Sequence, residues 1–244
     1  MYGPSKSPMS LRKGTLKLNY MNSGKVLIIG GCGFVGSNLC KTLLNLNVKS
    51  ITVVDNLLSS EIENLPKNDK IKFILGSIAD DNILYSLPKN FDYIFHLATY
   101  HGNQSSMKNP LKDHENNTIT TLKICEYFKD APVLKKLVYA SAGCVVAEKT
   151  YNAPIATTED ANISLYLDSP YQISKIIGEF YGNYYYSQHN LPFVKARFQN
   201  VYGPGEILGA GQWRGTPATV WRNVTPTFVW KALNNISIRL DNNG

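Results

Sequence analysis

Residues 25–55, KVLIIGGCGFVGSNLCKTLLNLNVKSITVVD, contain the pattern that decides the fold. An apolar run from Val26 to Ile29 stops at glycines, and apolar residues then recur at helical spacing from Val35 to Leu46. A second apolar run, Ile51 to Val54, ends at Asp55. A strand, a helix and a strand in this order predict a parallel βαβ unit.

The same alternation continues through most of the chain. Further short apolar runs have the character of strands: Ile71 to Leu75, Tyr93 to Leu97, Leu137 to Tyr139 and Phe193 to Arg197. Helical patterns over about 111–128 and 170–187 lie between the later runs. The alternation predicts the α/β class and a Rossmann-type, doubly wound parallel sheet.

The composition is that of a folded protein with one or two domains. Of the 244 residues, 43% are apolar and 18% charged, which excludes a disordered or coiled-coil chain. No apolar run reaches 18 residues, so no membrane span is predicted. The four cysteines lack Cys-x-x-Cys spacing, which argues against a zinc ribbon or other metal site and favours a reducing, cytoplasmic compartment. The net charge of +7 is dispersed, so we expect an anionic small substrate rather than nucleic acid.

Residues 30–36, GGCGFVG, are typical of a loop that holds a dinucleotide. Gly31, Gly33 and Gly36 match Gly-x-Gly-x-x-Gly, while Gly30, Gly33 and Gly36 match a variant with a glycine at every third position. One glycine permits a tight turn, one lets the backbone approach a pyrophosphate, and one allows close helix–strand packing. The N–H groups at the start of the helix then bind the phosphates.

Asp55 follows Gly36 by about 20 residues, which is the spacing of the acidic residue in this motif. A carboxylate there accepts hydrogen bonds from the adenosine ribose and repels a 2′-phosphate, so NAD is favoured over NADP. The alternative interpretation is a structural glycine turn in which Asp55 only caps its strand.

Residues 169–180, SPYQISKIIGEF, place a tyrosine and a lysine on one helix face. Ser169 and Gln172 fit a capping box at the helix start, and Tyr171 and Lys175 are four residues apart. A cation beside a phenol lowers its pKa. We therefore expect Tyr171 to remove a hydroxyl proton while hydride passes to a nicotinamide. The alternative is an exposed aromatic–cation pair without catalytic function.

Seven segments, taken together, resemble one protein family. They are GGCGFVG (30–36), VVDNLLSS (53–60), HLAT (96–99), NPLKDHENN (109–117), VYASAGCVV (138–146), SPYQISK (169–175) and RFQNVYGPG (197–205). With them the chain resembles the extended short-chain dehydrogenases/reductases, in particular the NAD-dependent nucleotide-sugar epimerase/dehydratase family. The segments are specific for the family and not for one activity within it.

The resemblance implies NAD as cofactor and a nucleotide-diphosphate-sugar as substrate. The implied cofactor contacts are Gly30, Gly33, Phe34, Val35, Gly36, Asp55, Asn56, Ser60, Ser77, Ile78, Leu97, Ala98, Thr99, Asn117, Tyr171 and Lys175. The implied substrate contacts are His101, Ser106, Asn200 and Asn223, and His101 is also an acid/base candidate. Asn117 is expected to hold the loop after the fourth strand. The resemblance also implies a homodimer that packs through the helices near 111–128 and 170–187.

Three residues depart from the family pattern. Ser77 stands where members often have an acidic residue for the adenine amine. Ala142 stands where a Ser or Thr normally binds the sugar hydroxyl, and the adjacent Ser141 replaces it only if the loop shifts. Cys144 stands where dehydratases have a glutamate, and members that epimerise carbons 3 and 5 have a cysteine there. Cys144 is thus expected either to move a proton next to a sugar ketone or to be a small buried strand-end residue.

The resemblance also sets the expected domain organisation. Residues 1–23 are expected to be a loose extension, and residues 24–199 to be the NAD-binding Rossmann domain. Residues 200–244 are expected to begin a substrate-binding region, with a helix at Pro226 to Leu233 and a strand at Ile236 to Leu240. Family members continue beyond that point, so we expect this region to be incomplete.

The expected activity is an epimerase or dehydratase that transiently oxidises a sugar hydroxyl. Tyr171 is the base, Lys175 supports it, and Cys144 and Ser141 complete the expected catalytic group. One alternative is a net NAD-dependent dehydrogenase or reductase. The other is an NAD-binding protein without chemistry, which Ala142 would favour.

Overall fold

The computed structural model describes residues 21–100, 102–146, 157–163, 165–206 and 224–238. The strands are β1 (Lys25–Ile29), β2 (Ser50–Asp55), β3 (Ile71–Leu75), β4 (Tyr93–His96), β5 (Lys136–Ala142) and β6 (Phe193–Phe198). They form one sheet in the order β3-β2-β1-β4-β5-β6, and every neighbouring pair is parallel. The predicted doubly wound sheet is confirmed.

Helices cover the connections between strands. They are α1 (Phe34–Asn45), α2 (Asp81–Ser86), α3 (Asn103–Lys108), α4 (Pro110–Asp113), α5 (Thr120–Phe128), α6 (Pro170–His189) and α7 (Val224–Leu233). A π-helical turn, His114–Ile119, joins α4 to α5, so the helix predicted over 111–128 is interrupted midway. The strand predicted from residue 236 is absent in its described part, since residues 236–238 have no regular secondary structure.

The central strand β1 explains why the sheet is buried on both faces. Val26 and Ile28 pack with α1 on one side, while Leu27 and Ile29 pack with α5 on the other, and all four are at most 2% exposed. A continuous apolar run, in place of an alternating one, is the pattern of a parallel strand covered on both faces. Burial of each such side chain stabilises the fold by about 1.5–3 kcal/mol.

The topology creates a crevice beside β1. The chain builds β1, β2 and β3 in one direction and then returns to place β4 on the other side of β1. Ile29 lies beside both Val54 and His96 in register, so the segments that follow β1, β2 and β4 leave the sheet at one edge. Ligands of such sheets bind at this switch point.

Two glycines set the distance between α6 and the sheet. A Cβ at Gly178 would lie 2.6 Å from Cζ of Tyr139, and a Cβ at Gly182 would overlap the ring of Phe193. Because those rings belong to β5 and β6, α6 packs directly onto the two strands.

The amino-terminal boundary lies slightly earlier than predicted. Ser23 donates its N–H to the carbonyl of Asn47 at 3.2 Å, and Met21 packs against the core cluster around α1. The last residues of the expected loose extension therefore belong to the folded part, while residues 1–20 lie outside the described chain.

Candidate active site

A cleft of about 650 Å³ follows the carboxyl edge of the sheet. Most residues predicted to bind the cofactor line it: Gly30, Gly33, Phe34, Val35, Gly36, Asp55, Asn56, Ser60, Ser77, Ile78, Leu97, Ala98, Thr99, Tyr171 and Lys175. Ser141, Cys144 and Asn200 line the same cleft. The fold thus gathers residues from every predicted motif into one site.

Two of the loop glycines are required by the fold itself. Gly30 has φ +85°, and a Cβ there would lie 2.5 Å from the backbone nitrogen of Ala98. A Cβ at Gly36 would lie 2.6 Å from Cα of Gly31. At Gly33, by contrast, a Cβ would meet only the carbonyl oxygen of Gly30, at 3.4 Å. The missing side chain of Gly33 therefore leaves room in the cleft for a ligand.

The start of α1 suits a pyrophosphate. Gly33 is its N-cap, and no acidic side chain stands in the first turn. The first N–H groups of a helix have no acceptor within the helix, and its N-terminus carries partial positive charge. Phe34, Val35 and Gly36 present this end to the cleft. The residues present therefore fit the phosphates of a dinucleotide.

Asp55 has a structural function that extends beyond capping its strand, because it fixes the glycine loop. Its Oδ2 accepts a hydrogen bond from the N–H of Cys32, and its Oδ1 accepts from the N–H of Leu57 and from Ser60 Oγ, each at 2.9 Å. Asn64 Nδ2 donates to the carbonyl of Cys32 at 2.9 Å, which further fixes the glycine loop. A carboxylate has about four acceptor sites, so Asp55 retains acceptor capacity toward the cleft.

The start of α6 differs slightly from a capping box. Ser169 Oγ accepts from the N–H of Gln172 at 3.3 Å as predicted. Gln172 Oε1 accepts from the N–H of Asp168 at 3.1 Å, one residue earlier than the motif requires. Both bonds fix the first turn, which carries Tyr171.

Ser106 does not have the position predicted for a substrate contact. Its side chain is fully buried and does not line the cleft. Its hydroxyl donates to the carbonyl of Asn103 at 2.8 Å and accepts from the N–H of Tyr171 at 3.1 Å. Ser106 therefore acts behind Tyr171, where it satisfies one of the unpaired N–H groups at the start of α6.

Lys175 lies close to Tyr171, but the expected lowering of the tyrosine pKa is not found. Lys175 Nζ is 5.7 Å from the ring centre of Tyr171 and donates to the carbonyl of Ala140 at 2.8 Å. Burial raises the pKa of Tyr171 well above its usual range, and the charges of Cys144 and Asp113 raise it further. Burial also lowers the pKa of Lys175 to about 8. The phenol described here is thus protonated near neutral pH.

Ser141 lines the cleft, but its hydroxyl is engaged elsewhere. It donates to Glu179 Oε1 at 2.6 Å, and Glu179 is fully buried. Arg197 holds the same carboxylate with two hydrogen bonds of 2.8 and 2.7 Å. Burial acts to raise the pKa of Glu179, but the hydrogen bonds from Arg197 and Ser141 outweigh it and leave that pKa lowered. The loop shift that would free Ser141 as a substitute at the Ala142 position is not present.

Cys144 is partly exposed to the cleft in the short 3-10 turn Gly143–Val145. Burial raises the pKa of its thiol, although the charge of Lys175 and a hydrogen bond with Gln172 oppose the shift. The thiol is therefore the protonated form near neutral pH. Of the two interpretations, the exposed position fits a group that can meet a substrate better than a buried strand-end residue.

Asn117 holds the loop after β4, as the resemblance implies, and does not line the cleft itself. Its Oδ1 accepts from Thr99 Oγ1 at 3.0 Å and from the N–H of Tyr100 at 2.7 Å. Its Nδ2 donates to Asp113 Oδ2 at 2.9 Å and to Ser174 Oγ at 3.2 Å. Asn117 therefore reaches the cleft through Thr99, which lines it.

His96 closes β4 and is 1% exposed. Thr121 Oγ1 donates to the carbonyl of Asn117 at 2.6 Å, so it accepts from His96 Nε2, which lies 3.1 Å away. Burial lowers the pKa of His96 to about 3. The ring is neutral, which agrees with a structural histidine.

Two predicted substrate residues, His101 and Asn223, lie outside the described residues. Within the described ranges, no three His, Cys, Asp or Glu side chains are grouped so that they could hold a metal ion. In that same part of the chain, no helix has the length and apolar character needed to cross a membrane.

The sequence matches the model of the NAD dependent epimerase/dehydratase family over residues 26–237. The chain therefore belongs to this family.

Two solved structures of the Bordetella bronchiseptica enzyme WbmF are similar to it. The complex with NAD+ has 57% identity and a TM-score of 0.78, and the match covers 91% of this chain and 63% of that one. The complex with NAD+ and UDP has 55% identity and a TM-score of 0.79, with 92% and 64% covered.

Curated relatives include enzymes of two kinds. The dTDP-D-glucose 4,6-dehydratase of Dictyostelium discoideum is 33% identical over 227 residues, which are 86% of this chain and 48% of that protein. The UDP-glucose 4-epimerase of Mycolicibacterium smegmatis is 31% identical over 184 residues, or 74% and 57%. The chain thus spans about half the length of the curated relatives it matches.

Proposed function

We propose that the cleft binds NAD and that the protein is an epimerase or dehydratase acting on a nucleotide-diphosphate-sugar. One observation carries the proposal. The phenol of Tyr171, the ammonium of Lys175 and the thiol of Cys144 line the same cleft as the glycine loop at the start of α1. A phosphate site and a proton-transfer site thus share one crevice.

Chain groups along the cleft would hold the cofactor. The N-terminus of α1 would bind the pyrophosphate, and the remaining acceptor capacity of Asp55 would bind the ribose hydroxyls. The buried negative charge of Asp55 favours NAD over NADP, because a 2′-phosphate would be repelled. The similar enzyme WbmF is crystallised with NAD+ and UDP, which supports a site for NAD and for a second nucleotide.

Bound NAD+ supplies a hydride acceptor whose ring carries a positive charge. Tyr171 Oη would take the proton of the sugar hydroxyl, and the carbinol becomes a ketone once its C–H hydrogen has also left. Because burial raises the pKa of Tyr171, the phenol must first lose its proton, which nearby positive charge favours. In its protonated form Tyr171 would return the proton to the ketone and complete the cycle.

Cys144 is proposed to act between those two steps. A ketone acidifies the neighbouring C–H bonds, and a thiol that faces the cleft could exchange the proton on such a carbon. The thiolate of Cys144 would take the proton from that carbon, and the resulting thiol would return it; because burial raises the pKa of Cys144, the thiolate is the minor form near neutral pH. Return of hydride without loss of water gives an epimer, whereas loss of water makes the reaction that of a dehydratase.

The test is turnover of several UDP- and dTDP-sugars by the protein, followed by NMR of the sugar. We expect a new sugar signal without net change at the NADH absorption band. Tyr171→Phe should lower turnover by about 10²–10⁴-fold or more while NAD stays bound. Undiminished turnover in Tyr171→Phe would overturn the mechanism.

Two other outcomes separate the alternatives. Stoichiometric formation or loss of NADH would identify a net dehydrogenase or reductase. NAD binding without any new sugar signal would identify a non-catalytic protein, the alternative that Ala142 and the engaged hydroxyl of Ser141 favour.

We also propose a homodimer through α6 and the helical segment that ends with α5. Ile173, Phe180 and Tyr184 on α6 are between 44% and 53% exposed, which leaves an apolar stripe on its outer side. Sedimentation should show a dimer, and Phe180→Glu should yield monomers. The four unpaired cysteines lead us to infer a reducing, cytoplasmic compartment.

A further inference from the structure

The ammonium of Lys175 is buried without a direct ionic partner. Its residue is 2% exposed, and its hydrogen bond goes to the neutral carbonyl of Ala140. Among the described residues, no carboxylate forms an ion pair with it. Since an uncompensated buried charge is costly, a negative charge nearby would stabilise the ammonium of Lys175.

Asp113 is placed to do so. It is the last residue of α4 and is 1% exposed. Its Oδ2 accepts from Asn117 Nδ2 at 2.9 Å, and Ser174 Oγ, next to Lys175 in sequence, lies 3.2 Å from the same nitrogen. The carboxylate therefore packs against the turn of α6 that carries Lys175.

We propose that Asp113 is a positioning residue whose carboxylate balances the buried charge of Lys175 and, through Asn117, fixes the loop after β4. The inference rests on the proposed function, in which Lys175 supports Tyr171. Asp113 does not line the cleft and acts only through these neighbours.

The hydrogen bonds of Asn117 show why a carboxylate is suited to this position. The backbone N–H of Tyr100 can only donate, so the side-chain atom of Asn117 that it contacts is the acceptor, Oδ1. Its Nδ2 therefore faces Asp113, which as a carboxylate can only accept. A flipped amide would place two acceptors against each other, so Asp113 enforces the orientation that holds Thr99 and Tyr100 beside the cleft.

Among the other titratable groups on the elements around the pair, Glu179 on α6 is charged, and Arg197 balances it with an ion pair of 2.7 Å. His96 from β4 is neutral, because burial lowers its pKa to about 3. Burial raises the pKa values of Tyr139 on β5, of Cys144 in the following turn and of Tyr171 on α6 itself. His114, beside Asp113, is exposed and lowers the pKa of that carboxyl, against the larger effect of burial.

The charge of Asp113 affects the pKa values of both Lys175 and Tyr171. Burial lowers the pKa of Lys175, and Asp113 is the first of the charges that raise it again. Asp113 also raises the pKa of Tyr171. Removal of this one charge should therefore move both pKa values in the same direction, downward.

The experiment compares Asp113→Asn with the unchanged protein by NMR titration of lysine side-chain nitrogens without ligand. The signal of Lys175 is identified by its loss in Lys175→Met. We expect its pKa to fall by about one unit in Asp113→Asn. In the active protein, both limbs of the pH profile should move toward acid by a similar amount.

Ser174→Ala is the matched control, because it removes a hydrogen bond from the same network without changing charge. Ser174→Ala should change the maximum activity without shifting the two apparent pKa values of the pH profile. An unchanged Lys175 pKa in folded Asp113→Asn, or an equal shift in Ser174→Ala, would overturn the inference.

A second measurement tests the same inference if Asp113→Asn fails to fold. In Lys175→Met the carboxyl of Asp113 loses its cation, so its pKa should rise, as followed by carboxyl carbon NMR; no rise would count against the inference. Both titrations use the unliganded protein. They therefore test Asp113 even if no nucleotide-sugar is turned over, an outcome that would contradict only the proposed function.

Discussion

The two ends of the cleft are built in different ways. The end formed by the glycine loop and Asp55 comes from one continuous segment, residues 30–60, and depends on backbone turns and N–H groups. The end around Tyr171 combines α4, β4, β5 and α6, and depends on buried charges such as Asp113, Lys175 and Glu179. The first end should therefore be sensitive to added volume, and the second to changes of charge.

The largest effect is expected at the charged end, from Arg197→Met. It leaves the fully buried carboxylate of Glu179 without its two-point partner, and breaking a buried pair in this way costs about 3–5 kcal/mol. Urea unfolding followed by circular dichroism should show that loss in the free energy of unfolding.

Lys195→Met gives the matched control for Arg197→Met. Lys195 Nζ reaches the same carboxylate at 3.7 Å, but its side chain is 38% exposed. An exposed pair contributes about 0–1 kcal/mol. Equal losses in the two variants would show that burial of the charge is not what matters at this end.

A smaller effect is expected from volume added to the glycine loop. Gly36→Ala forces a Cβ against the backbone of Gly31 and should destabilise the fold by about 1–3 kcal/mol. Gly33→Ala has only a 3.4 Å contact, so stability should hold while NAD affinity falls by about tenfold. Thermal melting measures the stability of each variant, and calorimetry measures its NAD affinity. A Gly36→Ala variant with unchanged stability would contradict the expected sensitivity of this end to added volume.

Near neutral pH, the smallest effect concerns His96, where the two ends meet. Its pKa is about 3 in the folded chain against 6.5 ordinarily, so the unfolded chain binds a proton first as the pH falls. The free energy of unfolding should therefore decrease from about pH 6.5 downward, by at most about 1.4 kcal/mol per pH unit. His96→Asn should flatten this slope, and the exposed His114→Asn should not. Urea titrations at several pH values measure the free energy of unfolding. An unchanged slope in His96→Asn would contradict the lowered pKa of His96.

The backbone-built end could be predicted almost completely from the sequence. The spacing of Gly30, Gly33 and Gly36 specifies a turn, a close approach and an open cradle, all of which are local. The continuous apolar run of β1 likewise predicts burial on both faces. The short helix α2 could not be predicted, because its six residues are too few to show the helical spacing of apolar residues. The available sequence signal was Asp80, an N-cap residue type whose carboxylate accepts from the N–H of Asn82 in the structure.

The charged end could be predicted only in part, because its properties arise from packing between distant residues. The spacing of Tyr171 and Lys175 predicts that they share a helix face, but it does not reveal the burial that raises the pKa of Tyr171. Ser106 and Ser141 face partners that lie 65 and 38 residues away in sequence. Asp113 lies in the segment NPLKDHENN, but nothing in that segment indicates that its carboxylate is buried beside Lys175.

The close approach of α6 to the sheet has a consequence for evolution of the pocket. Tyr139 and Phe193 contact the helix where Gly178 and Gly182 lack side chains, so this contact sets the distance of α6 from the sheet. A methyl group at either glycine has no room unless α6 or the ring moves, and we expect a shift of α6 to displace Tyr171, which lies about 10 Å along the helix from Gly178. The position of Tyr171 in the cleft thus depends on two glycines that do not line the cleft.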